Sequence, residues 1–312
     1  MVEEALHRLK SARDGFRRSI DLTLSLFAPV RRLPEDVLVE IFSLYIQDSG
    51  IRRGERTYSL TLSRQHRISS PCFTLSRVCS FWQKVVFSRP AFWSSFSLNT
   101  TDLRRESKVM TILSECLSRS ANAPLSLYIR PGNVDDSLVQ KNAFNLFLEQ
   151  AGRWECLDLF LPRHNLTSRF ISWMQSGEQS PTFSSLRHLA LDGHFSLEVT
   201  SVFQMLLRSS HLETLSTGNL DVPWSDFCQC DFSSLKKLEI LGPSEGSVGQ
   251  LLSRMPSLEV CNLISSFSGS PGDAQPTNTF YSSSLRRLSI DLENTIPESW
   301  QSLRTPHLRP YH

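Results

Sequence analysis

The sequence predicts an α/β chain, with a small all-helical module followed by a longer run of alternating strands and helices stacked as a solenoid. Within the first ninety residues, apolar side chains fall at helical spacings, punctuated by Ser-Pro and Pro-x-x-Trp. From residue 124 onward a short pattern, L-x-x-L-x-[L/I], returns at first positions 124, 154, 186, 212, 235, 258 and 285, 23 to 32 residues apart. That period is one supersecondary unit. The chain has 312 residues, 40% of them hydrophobic and 21% charged, a balance able to bury a core. The length favours two domains, or a repeat domain plus a small one.

The first element is a helix over residues 2–27. Val2, Leu6, Leu9, Phe16, Ile20 and Phe27 follow heptad-like spacing, broken by Arg13 and Thr23 and carrying Gly15. This stretch, expected as an N-terminal helix within 1–29, reads either as a short coiled coil for self-association or as an amphipathic helix packed on its own domain.

The second helix covers Arg31 to Ile46. Pro34 suits its first turn, where a missing N–H costs nothing, and Glu35 and Asp36 face the positive end of the helix dipole. Val37, Leu38, Ile41, Phe42, Tyr45 and Ile46 make one wide apolar face. Gln47 to Ser69 is polar, and between Ile51 and Arg67 it holds five arginines against Glu55. A solvated insertion loop is the expectation, with nucleic-acid contact as the alternative. A further single helix opens at Ser70-Pro71, with Leu75, Val78, Cys79, Trp82, Val85 and Val86 on its apolar face, and stops before Pro90; Phe92 and Trp93 follow.

Leu33-Pro34-x-x-Val37-Leu38-x-x-Ile41-Phe42, then Leu75-Ser76-x-Val78-Cys79-x-x-Trp82, then Pro90-x-x-Trp93, together resemble an F-box over residues 30–98, with a polar insertion at about 47–69. The lead-in LFAPVRRLP and the later RSANAPLSLYI are similar to fungal-style F-box proteins, and the match covers about a fifth of the chain. What the resemblance implies is binding. F-box helices dock onto the Skp adaptor, and through it onto the cullin and RING subunits of a ubiquitin ligase. Leu33, Pro34, Val37, Leu38, Ile41, Phe42, Val78, Cys79 and Trp82 would carry that docking, and Trp93 would close the small domain's core. The family places a second helix soon after the first, and the insertion stands in its place.

Residues 99–312 carry the repeats. The pattern reads Leu186-Leu189-Leu191, Leu212-Leu215-Thr217, Leu235-Leu238-Ile240, Leu258-Cys261-Leu263 and Leu285-Leu288-Ile290, with looser copies at Pro124-Leu127-Ile129 and Trp154-Leu157-Leu159. Helical spacings lie between them at 109–116, 138–151, 202–207 and 248–255. Each unit would hide its neighbour's apolar edge. The pattern resembles degenerate leucine-rich repeats that often follow an F-box, although no unit has the family's Asn at its ninth position. Ser265 to Tyr281 reads as a flexible loop, and the end at LRTPHLRPYH lacks a polar cap, so a truncated array is expected.

In such strands the leucines point inward and the residues between them line the concave face. Asp158, Phe160, His188, Asp192, Thr214, Ser216, Lys237, Glu239, Leu241, Asn262, Ile264, Arg287, Ser289 and Asp291 fall there. Its charges are mixed, which suits a protein target better than phosphates; an ordinary solvated sheet face is the plain alternative.

Other chemistry is weaker. Net charge is +2, so nothing points to nucleic acid or an anionic membrane. No apolar run approaches the ~18 residues of a membrane helix, and the charged N-terminus fits no targeting signal. Seven scattered cysteines read as reduced thiols of the cytoplasm or nucleus, which makes the triplets at Asn99 and Asn165 chance matches. Gly242-Pro243-Ser244-Glu245-Gly246 matches the nucleophile elbow of serine hydrolases, with Asp273 or Asp291 and His307 following in order. A turn inside a repeat explains Ser244 as well. Cys228 and Cys230 alone do not make a metal site. The expectation is therefore a non-catalytic, cofactor-free substrate receptor, or an adaptor-binding scaffold that does not feed ubiquitination, with the Ser244 hydrolase as the rival.

Overall fold

The computed structural model describes residues 2–26, 29–48, 58–62, 68–99, 107–130, 138–161, 182–193, 206–207, 211–218, 231–241, 254–265, 280–281, 284–292 and 303–304. They form a mixed α/β protein with six helices and a ten-stranded, mostly parallel sheet. The chain divides into two compact units interleaved in sequence: 1–57 with 75–88, and 58–74 with 89–312.

The first unit is helical. α1 (Val2–Leu26) forms as expected, but Val2, Leu6, Leu9, Phe16 and Ile20 are 51–83% exposed. These five heptad residues are therefore not packed on the chain's own domain; Phe27, the sixth, lies outside the described residues. After a 3₁₀ turn at Pro29–Arg32, α2 runs Glu35–Asp48. Pro34 sits one residue earlier than expected, at the cap, where its carbonyl accepts the first helical bond from Leu38 N–H at 3.1 Å.

The single helix expected from Ser70 to Arg89 is two. α3 (Pro71–Ser76) closes with a tight bond from Val78 N–H to Leu75 O at 3.2 Å, Cys79 is extended at φ −164°, and α4 covers Ser80–Phe87. Cys, Phe, Thr, Ser and Val are weak helix formers, so local propensity does not resist the break. Ser70 Oγ accepts from Phe73 N–H at 3.4 Å, the capping role its position suggests.

The second unit is the sheet. Its strands are β1 (Leu60–Leu62), β2 (Ile68–Ser69), β3 (Ser95–Asn99), β4 (Leu125–Arg130), β5 (Trp154–Leu161), β6 (His188–Gly193), β7 (Thr214–Thr217), β8 (Lys237–Leu241), β9 (Val260–Ser265) and, after β10 (Phe280–Tyr281), β11 (Arg287–Leu292). From β3 to β9 they lie side by side in chain order, with β11 beyond β9 and β1 then β2 at the other edge; only the β1–β2 pair is antiparallel. β10 pairs with β12 (Leu303–Arg304) separately. β1 and β2 come from the stretch expected to be a solvated loop. Leu60 and Leu62 are buried, so that part of the insertion extends the sheet. Likewise Ser265, Phe280 and Tyr281, at the ends of the expected flexible loop, are in strands.

Helices α5 (Ser107–Arg119) and α6 (Leu138–Leu148) cross between β3, β4 and β5. Parallel neighbours need such crossovers. α5 buries Val109, Leu113, Cys116 and Leu117, spaced i, i+4, i+7, i+8; α6 buries Ala143, Phe144 and Phe147. Phe147 meets Phe96 edge-on at 5.1 Å, and Trp154 donates from Nε1 to Phe147 O at 3.0 Å. Arg153 donates to Ala123 O, Ser120 O, Ser120 Oγ and Gln150 Oε1, tying both helix ends together, and burial pulls its pKa down. Beyond β5, Leu206 and Leu207 are helical and buried; the remainder of the helices expected at 202–207 and 248–255 lies outside the described residues or, at Met255, is buried but not helical.

Register is where the repeats become visible. Leu60, Phe96, Leu127, Leu157, Leu189, Leu215, Leu238, Cys261 and Leu288 stand opposite one another in a row. Leu62, Leu98, Ile129, Leu159, Leu191, Thr217, Ile240, Leu263 and Ile290 form a second row two residues on. Each fully buried Leu, Ile or Phe contributes about 1.5–3 kcal/mol, so a one-residue slip, which would turn both rows outward, is strongly disfavoured.

Three further regularities link units. Phe183, Phe232 and Met255 are buried, and each carbonyl accepts from the leucine three residues on. Ser185 Oγ donates to Gly152 O (2.7 Å) and Ser284 Oγ to Pro256 O (2.5 Å), each reaching the turn of the preceding unit. From the unit starting at 154 onward, the residue after each first position alternates in charge: Glu155, Arg187, Glu213, Lys236, Glu259, Arg286. Their backbones pair in succession at 2.8–2.9 Å, and Arg187 bridges Glu155 (3.8 Å) and Glu213 (3.1 Å), which also holds Lys236 (3.0 Å).

Candidate functional site

α2 carries more apolar surface than its own unit covers. At about 100° per residue, two stripes separate on it. Leu38, Phe42 and Ile46 are buried, with the Phe42 ring edge-on to Trp82 at 4.8 Å. Val37, Ile41, Leu44 and Tyr45, spaced i, i+4, i+7, i+8, are 40–62% exposed. Val78 and Phe81, at the α3–α4 break and the start of α4, are exposed as well. Glu35 and Asp36 stand in the first turn of α2, the favourable place for acids.

The residues expected to dock a partner therefore divide. Val37, Ile41, Val78 and Pro34 reach the surface, Leu33, Cys79 and Trp82 are half-buried, and Leu38 and Phe42 are fully inside. Phe42 and Trp82 act as the backing that holds the outer stripe in place. Trp93 is buried, against Phe73 at 5.6 Å and under the Arg119 guanidinium at 4.8 Å, in the sheet unit. Leu44 and Phe81 were not singled out in the sequence, and Tyr45 was read as part of the apolar face of α2 but not as a docking residue. Leu44 falls outside the motif spacing, and Phe81 belongs to the outer face only because the helix restarts at Ser80. Trp82 Nε1 is shut off from solvent with no acceptor among the described residues, a cost of about 1–3 kcal/mol.

The second surface is the polar face of the sheet. Its expected residues all lie on strands, in rows. His188, Thr214, Lys237, Val260 and Arg287 make one; Asp158, Ala190, Ser216, Glu239, Asn262 and Ser289 the next; Leu241, Ile264 and Asp291 stand beyond, and Phe160 is opposite Asp192. His188, Asp192, Lys237, Arg287 and Ser289 are exposed, and Asp158, Phe160, Glu239 and Asn262 are half-buried. Lys237 lies 3.6 Å from Glu239. Beside Asp192 the chain makes a close approach at Gly218, where a Cβ would collide with the Asp192 carboxylate.

At the β4–β5 end this face holds three residues the sequence did not single out. The guanidinium of Arg130 lies over the Phe160 ring at 4.0 Å, and Tyr128 lies 5.8 Å from Tyr58, ring to ring. β4 begins the repeat series with a loose copy, which hid its outward residues from the pattern.

Ser244 and its partner His307, and the pair Cys228 and Cys230, lie outside the described residues. Among the described residues no group of acids, histidines and cysteines could hold a metal, the five described cysteines form no disulfide, and no helix is long and apolar enough to cross a membrane. Comparison with known proteins found no matching family model, no matching curated protein and no matching solved structure.

Proposed function

We propose that the chain is a substrate receptor of an SCF-type cullin–RING ubiquitin ligase, with an F-box that docks on the Skp adaptor and a leucine-rich-repeat solenoid that holds a protein target. The observation that carries the reading is the uncovered stripe Val37, Ile41, Leu44 and Tyr45 on α2, with Val78 and Phe81, within the residues whose order resembles an F-box. Covering such side chains is worth about 1.5–3 kcal/mol each, enough for a stable complex after association costs. The two in-register leucine rows support the solenoid reading, because each unit covers the apolar edge of the next. The receptor does no chemistry itself. It raises the local concentration of target lysines near the transferring enzyme.

The test is capture of purified Skp adaptor by the full chain. Val37→Glu/Ile41→Glu changes exposed positions and leaves the fold intact by circular dichroism; recovery of adaptor should fall at least tenfold, since buried charge costs more than about 1.4 kcal/mol. Leu33→Ala/Pro34→Ala should weaken capture in the same direction. Unchanged recovery by both variants removes the docking assignment. Capture of adaptor without cullin leaves the scaffold role in its place.

A further inference from the structure

We propose that Arg130, seated on Phe160, anchors one acidic group, a carboxylate or a phosphate, of an extended peptide segment in a protein target. This rests on the reading of the sheet's polar face as target-binding and names the chemistry that face selects.

Arg130 ends β4 and Phe160 lies in β5. Ile129 pairs with Leu159, so the next residue on each strand brings Arg130 beside Phe160 on the outward face. The guanidinium covers the ring at 4.0 Å. A stacked guanidinium keeps its in-plane N–H groups for a planar, two-point acceptor. Three other arginines of the sheet unit have such acceptors within the chain. Arg119 holds Glu115, Arg153 holds the Ser120 and Ala123 carbonyls, and Arg187 bridges Glu155 and Glu213. Arg130 has no hydrogen bond or ion pair among the described residues, and its Nε is shut off from solvent without an acceptor. A half-buried cation held rigidly on a ring and left unneutralised is a binding group awaiting its anion.

The surroundings decide what brings the anion. Tyr128 lies two residues earlier on the same face with Tyr58 against it, so aromatic surface flanks the cation. Asp158 stands on the same face of β5 and Asp192 opposite Phe160 on β6. Those two carboxylates would repel the continuous charge of a nucleic-acid strand. A peptide with one acid and apolar neighbours meets the cation without meeting both.

The experiment is selection of a phage-displayed twelve-residue peptide library on the purified full chain, followed by fluorescence titration of the recovered peptide. Recovered peptides should share Asp or Glu at one position. Replacing that acid by Gln should weaken binding about tenfold or more, because hydrogen bonds to charged groups exceed about one decade in affinity. A phosphoserine version in place of the acid shows which oxyanion is preferred; either preference supports the proposal. In Arg130→Gln the acid and Gln peptides should bind equally, and Arg130→Lys should keep part of the preference, since charge remains and the fork is lost. Phe160→Leu should reduce the preference several-fold. The proposal is overturned if no acid is enriched, if Arg130→Gln still discriminates acid from Gln, or if poly(U) displaces the peptide as well as unlabelled peptide does. Adaptor capture reads α2 independently, so its loss with peptide selectivity intact sinks the ligase reading alone.

Discussion

Thr217 stands where its neighbours in the row carry Leu191 and Ile240, fully buried, with its hydroxyl unpartnered among the described residues. A sealed hydroxyl without an acceptor costs about 1–3 kcal/mol. Thr217→Val keeps the shape and removes that cost, so denaturant unfolding should report a gain of about 1–2 kcal/mol. Ala121 follows α5 at φ 44°, a left-handed conformation that burdens any Cβ. Ala121→Gly should add about 1 kcal/mol in the same assay, less what glycine gives up in the unfolded chain. Burial pushes the thiols of Cys72, Cys116 and Cys261 up to about 12, with the proximity of Cys116 adding to the effect at Cys72. In the unfolded chain they titrate near 8.5. A raised folded pKa means stability is fully present below the unfolded value and drains away as pH climbs from there toward 12. Cys261→Ala should therefore flatten the alkaline limb of a stability–pH curve, and a limb of unchanged slope would contradict the burial.

At the scale of the element, the alternating charges make a separable prediction. Lys236, by its hydrogen bond, and Arg187 hold the Glu213 carboxyl below its ordinary pKa. Such a depressed acid contributes above its unfolded value of about 4.3, and the contribution is lost as pH falls through the folded value. The pairs are largely exposed, so a double-mutant cycle on Glu213→Ala and Lys236→Ala should give a coupling of about 0.2–1 kcal/mol that shrinks in molar salt. A coupling indifferent to salt and to acid would mean the ions do not interact. Much of the element list was legible in the sequence. Leu186-Leu189-Leu191 and its copies declare their strands because a leucine every second or third residue has one inward face. β1 was hidden because three residues, Leu60 to Leu62, are too short to show a period inside an arginine-rich stretch. The division of α3 from α4 was hidden because the apolar spacing continues through Val78 and Cys79 while the backbone does not.

For the whole molecule, the interleaving of units matters most. Residues 58–74 and 89–98, inside the stretch that resembles an F-box, belong with the sheet. A fragment of residues 1–98 carries β1, β2 and β3 away from β4, exposing Phe96 and Leu98, and should show no cooperative thermal transition, whereas the full chain should; a sharp melt of that fragment would argue against the interleaving. This also explains the limit of sequence reading at the candidate sites. Val37 and Ile41 could be named from a helical wheel, since both stripes of α2 lie on one element. Arg130 on Phe160 could not, because it requires knowing which residues on strands some thirty positions apart stand abreast.

The stripe from Glu155 to Arg286 has a further consequence, one of parity. Adjacent units are not interchangeable: excising residues 212–234 would set Arg187 against Lys236, like against like. Excising 212–257 would set Arg187 against Glu259 and leave the alternation whole. An array built this way tolerates loss or duplication of its units in pairs and resists change by odd numbers.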